Sequence, residues 1–95
     1  EWFMKLWWVH CEALYGHLLN YALTGDESDW AAFEAVDAYI FDHFADSEHG
    51  EWFGYLDRQG TVTHRFKGAP YKGCFHVPRA LWLCIQLMED MEACE

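Results

Sequence analysis

Tyr21-Ala22-Leu23-Thr24-Gly25-Asp26-Glu27-Ser28-Asp29-Trp30 closes one helix and opens another, and the fold reads outward from that break. Gly25 suits the left-handed position that ends a helix, because a residue without a Cβ reaches positive φ at no steric cost. Asp26 or Ser28 then offers a side-chain oxygen to the unpaired N–H groups of the next helix. Before the break, Ala13, Leu14, Leu18, Tyr21 and Ala22 recur at spacings of three and four, which predicts a helix over about residues 7–23. Leu19 and Leu23 widen its apolar stripe and predict burial on more than one side. After the break, Trp30, Phe33, Asp37, Ile40 and Phe44 share one face of a second helix running to about Phe44.

Beyond Asp46-Ser47-Glu48-His49-Gly50 the period changes from helical to extended. Residues 52–56 are rich in rings that favour a strand, Asp57-Arg58-Gln59-Gly60 reads as a hairpin turn with Gly60 at positive φ, and residues 61–66 form the return strand. A loop containing Gly68, Pro70 and Gly73 leads to a last helix over about residues 77–92. Val77, Leu81, Cys84, Ile85, Met88 and Met91 make its buried stripe. Helix, helix, hairpin, helix describes a slice of an antiparallel helical array, mainly α, with one β-hairpin between helices.

The composition is heavy for 95 residues: 53% apolar and 19% aromatic. Small chains bury a smaller fraction of their surface than large ones, so many of these rings are expected to need another surface. Together with the opening at Glu1, this suggests a piece of a longer protein. The formal charge of −10 argues against nucleic acid or an anionic membrane as a partner, and no apolar run is long enough to span a bilayer. Cys11, Cys74, Cys84 and Cys94 have no CxxC spacing and read as reduced thiols of a cytoplasmic protein. His10, Cys11, Glu12, Cys74 and His76 are zinc-ligand types, but neighbouring residues on one helix diverge, so no metal site is expected.

Two polar clusters stand in these apolar surroundings: His10-Cys11-Glu12 near the start of the first helix, and His76 in Lys72-Gly73-Cys74-Phe75-His76-Val77-Pro78-Arg79. Pro78 favours a first helical turn, which places His76 at or just before the helix start, where a group titrating near neutrality can exchange a proton with a bound molecule. If the first and last helices run parallel, both clusters open on one rim. Trp7, Trp8, Trp52 and Phe53 are then candidate ring faces for a sugar, or simply core. Arg79, one turn past His76, either braces the helix start through an acid or contacts substrate.

The sequence resembles the N-acylglucosamine 2-epimerases, whose mammalian members are also called renin-binding proteins. The likeness rests on Lys5-Leu6-Trp7-Trp8-Val9-His10-Cys11-Glu12-Ala13-Leu14, on Thr24-Gly25-Asp26, on Gly50-Glu51-Trp52-Phe53-Gly54-Tyr55-Leu56-Asp57-Arg58, and on the motif containing His76. It implies that residues 1–95 are the C-terminal part of a single (α/α)6 barrel domain. It also implies interconversion of N-acetylglucosamine and N-acetylmannosamine by removal and return of the C2 proton. By this resemblance His76 is a catalytic acid/base group and Glu12 its partner, with His10, Trp52, Phe53 and Arg79 toward the substrate. A second histidine and an arginine are expected on upstream helices, so that this chain alone would be inactive. ATP or a related nucleotide is implied as an activator that is not consumed, and a homodimer for the full-length protein. Val9 stands where the family usually has proline. The rival readings are an aldose-ketose isomerase of mannose isomerase type on the same barrel, and a non-catalytic protein-binding module.

Overall fold

The computed structural model describes residues 4–65, 67–68, 72 and 75–93. Strand β1 (Lys5–Leu6) runs directly into α1 (Trp7–Thr24), and α2 (Glu27–Tyr39) comes next. A π-helical turn over Ile40–Phe44, the short strands β2 (Tyr55–Leu56) and β3 (Val62–His64), and α3 (His76–Ala93) complete the order.

The break between α1 and α2 forms as its residues dictate. Gly25 is left-handed at φ 71° and donates its N–H to Tyr21 O at 2.8 Å. Asp26 caps α2 by accepting from the Ser28 N–H at 2.9 Å, which holds its carboxyl below the usual carboxylate range. α2 then packs antiparallel on α1, with Tyr21 against Trp30 at one end and His10 against Tyr39 at the other. The second helical run does reach Phe44, but its last turn widens: Ala45 donates to Ile40 O, five residues back, at 2.9 Å.

The hairpin turns at Gly60, φ 87°, with the Asp57 side chain accepting from the N–H groups of Gln59 and Thr61 at 2.9 Å each. A Cβ at residue 60 would also approach His43 Nδ1 to 2.7 Å, so glycine is required there twice over. Of the predicted return strand, Val62–His64 pairs with β2, and Phe66 lies outside the described residues. β1, which no sequence pattern predicts, adds a third strand, pairing Lys5 with Leu56 and Leu6 with Tyr55.

α1 is the middle layer. Cys11, Leu14 and Leu18 of α1 meet Phe33, Ile40 and Phe44 on one side and Val77, Ala80 and Cys84 of α3 on the other. α3 runs parallel to α1, since the starts of the two helices meet at Glu12 and His76 while their far ends meet where Tyr21 lies beside Met88 and Met91. Three stripe assignments need correction. Ala22 and Leu23, on the last turn of α1, are exposed, Leu23 at 75%, and Ile85 is 53% exposed, because α3 packs on α1 and turns Trp82 and Ile85 outward.

Candidate active site

The start of α3 is anchored from below by buried Val77 and Ala80, which leaves His76 at the first helical position over the α1 surface. Its ring Nδ1 lies 3.1 Å from Glu12 Oε1. A carboxylate only accepts, so the imidazole donates from Nδ1 and keeps the lone pair on Nε2 when neutral. Glu12 Oε1 also accepts from the Arg79 guanidinium, and that guanidinium lies over the Phe75 ring at 4.6 Å. Phe75 in turn meets the His76 ring edge-on at 4.9 Å, and exposed Trp8 lies 6.3 Å away on the α1 side. The result is a partly exposed imidazole with one nitrogen tied to a carboxylate and two aromatic rings beside it.

The structure thus brings Glu12, His76 and Arg79 together. It sends His10 elsewhere. Two residues along an α-helix amount to a turn of roughly 200°, so His10 faces α2 when Glu12 faces α3. There the His10 Nδ1 donates to Leu6 O at 2.8 Å and its ring lies between Tyr39 and Phe44. Trp52 and Phe53 are both buried, the first against Phe44 and the second under Arg65 and Lys67. Trp52 edges an apolar groove of about 620 Å³ with Phe41, Val77 and Leu81, but neither Glu12 nor His76 lines it. Of the four candidate ring faces, Trp8 alone is both exposed and beside the dyad.

Sequence reasoning missed Phe75 as the ring that seats Arg79, and it missed the ion pair of buried Lys72 with half-exposed Glu51, 2.9 Å apart. A lysine within a glycine-containing loop gives no sign of burial; its only signal was membership in the motif that ends at Arg79. Burial pushes the Cys11 thiol up to about 12, with Glu12 adding to the effect, and the Cys84 thiol up to about 11. Both are inert thiols at neutral pH. Cys74 of the zinc-ligand types lies outside the described residues, and among those described no group of three ligating side chains is assembled.

A solved cellobiose 2-epimerase from Spirochaeta thermophila DSM 6192 superposes with a TM-score of 0.84 at 29% identity, covering 93% of this chain and 22% of that one. A D-mannose isomerase superposes at 0.76 with 20% identity over 92% of this chain and 22% of its own, which speaks to fold alone. The chain therefore folds as a segment of an (α/α)6 barrel of the sugar-epimerase and isomerase type. The sequence model of the N-acylglucosamine 2-epimerase (GlcNAc 2-epimerase) family matches residues 3–80, and the N-acylglucosamine 2-epimerase of Bos taurus is 50% identical over 91 residues. The chain belongs to the N-acylglucosamine 2-epimerase family. The bovine match takes in 96% of this chain but 22% of the bovine protein's length.

Proposed function

We propose that this chain supplies one acid/base group, His76, and its carboxylate partner, Glu12, to a sugar 2-epimerase that interconverts N-acetylglucosamine and N-acetylmannosamine. The supporting observation is the tautomer that Glu12 imposes. With Nδ1–H donated to a carboxylate, Nε2 keeps the lone pair and is the basic atom of a partly exposed ring. In the ring-opened sugar the C2–H bond lies next to the C1 carbonyl. The base takes the C2 proton, and the electron pair of that bond passes into C1–C2 as the carbonyl oxygen gains negative charge. Return of a proton to the opposite face of C2 restores the carbonyl and inverts the centre. The proton bound at Nε2 gives His76 a positive charge, which the Glu12 carboxylate stabilises.

Two faces require two acid/base groups, and among the described residues none stands opposite His76. The second group comes from outside this chain. Exposed Trp82 and Ile85 on α3 support the same reading, since a barrel neighbour covers that face in a complete fold. Trp8 offers a ring face for the sugar's apolar C–H side.

The test is epimerisation in deuterated water by a protein of full family length carrying these residues. Deuterium entering C2 in the parent and not in its His76→Asn variant supports the assignment. Undiminished exchange in that variant sinks it. Ketose as the product, with the proton returned to C1, would convert the reading to an aldose-ketose isomerase.

A further inference from the structure

We infer that residues 51–54 form a clasp that sets the spacing between Glu12 and His76, with Glu51 and Lys72 as positioning residues of the dyad; the inference rests on the acid/base role proposed for His76. The two halves of the dyad lie far apart in sequence, on helices whose starts must be held in register. The first N–H of α1 and Lys72, on the approach to α3, are bound to the same short segment. At one end of it, Gly54 O accepts the Trp7 N–H, the first of α1, at 3.0 Å, five residues before Glu12. At the other, the Glu51 carboxylate holds the Lys72 ammonium at 2.9 Å, four residues before His76.

Three further observations mark this segment as built for that contact. Lys72 is 1% exposed, and its ammonium also donates to Lys67 O at 2.9 Å, so the charge is buried with its partners supplied. Gly54 gives the lysine stem its passage: a Cβ there would come within 2.9 Å of Lys72 Cδ and 3.5 Å of the Trp7 ring. Glu51 itself sits at φ 60°, a left-handed conformation that glycine adopts more easily. The strain is held by the bridge between Ala45 and Trp52, by Asp46 N donating to Glu51 O at 2.9 Å, and by the Trp52 N–H donating to the Glu51 carboxylate. A glutamate in a glycine conformation, with its carboxylate on a buried lysine, is explained by the use of that carboxylate.

The experiment is a double variant, Glu51→Gly with Lys72→Met, in the full-length protein. It removes the strained side chain and the buried charge together, so neither an unpaired charge nor backbone strain remains to unfold the protein. The clasp predicts a melting temperature close to the parent's and a kcat about 10–100-fold lower, the range that misplacement of a reacting group by about 1 Å produces. KM should move less than kcat and the pH–rate profile should change shape. In a His76→Asn background the double variant should slow the residual exchange no further, because the clasp acts through His76. Unchanged kcat per folded site, with an unchanged pH–rate profile, overturns the clasp and leaves the role of His76 intact. Loss of exchange in neither this variant nor His76→Asn would instead remove the acid/base reading itself. If that variant does not fold, Glu51→Gln with Lys72→Met, which leaves no unpaired buried charge and keeps an acceptor for the Trp52 N–H, decides by the same two readouts.

Discussion

His10 is the fourth residue of α1 and His76 the first of α3, on helices that run parallel, so both imidazoles sit at the same end of the molecule. Each donates from Nδ1 and each lies among rings. The acceptors differ. His10 donates to Leu6 O in its own helix start and is closed in by Tyr39 and Phe44, whereas His76 donates across to a carboxylate on another helix. A backbone carbonyl orients a ring; a carboxylate orients it and also stabilises the charge it acquires. The difference in acceptor, rather than residue type or position along a helix, separates packed His10 from His76, the acid/base group proposed above.

Exchange at C2 is the sharpest way to break this contrast. In the full-length protein, His76→Asn should lower deuterium incorporation by about 10²–10⁴-fold, the contribution of a positioned acid/base group, while His10→Asn stays within the same order of magnitude as the parent. Comparable losses in the two variants would erase the distinction. Glu12→Gln keeps the shape and removes the charge; a loss of about 10²-fold, at the bottom of the same range, is expected from single-turnover rates.

Packing offers the next test, with Leu18 against Leu23. Leu18→Ala opens a hole between three elements and should destabilise by about 2–5 kcal/mol, while Leu23→Ala, on an exposed end, should stay within about 0.5 kcal/mol by denaturant melts. The thiols refine the picture of the core. Cys11 and Cys84 hold their protons to about 12 and about 11, past the ordinary value of 9.0, because burial disfavours the thiolate. Iodoacetamide at about pH 8 should therefore label them only on unfolding. Their contribution to stability is complete below pH 9 and is lost as pH rises through 11 to 12. The smallest effect expected is at Asp46, held at about 2 chiefly by the Lys67 ammonium and the Glu48 N–H. Its contribution is present above its unfolded value of 3.8 and fades as pH falls toward 2, so Asp46→Asn should flatten acid melts in that window.

Local chemistry was legible wherever one residue had one job. Gly25 and Asp26 announced the helix break, and Asp57 with Gly60 the hairpin, because positive φ and a side-chain acceptor are properties of single residues. β1 was illegible for the opposite reason. A two-residue strand has no period, and its partner Leu56 lies far along the chain. Within the site, Glu12 and His76 came from a motif likeness, yet the separation of His10 from Glu12 is a matter of helical pitch alone and could have been read directly. Trp52 and Phe53 show where aromatic content misleads, since a ring suits a sugar and a core equally until the neighbours are known. The clasp was hidden because burial of Lys72 depends on Gly54 and Glu51, and no property of the lysine itself reports on either.

The widened turn at Ile40–Phe44 has a consequence for length variation. A π-helical turn is an α-helix accommodating one surplus residue, so this is the place where the second helical run can lose a residue without breaking. Such a deletion would return the turn to α-helical spacing and leave the chain beyond it directed toward the Ala45–Trp52 bridge.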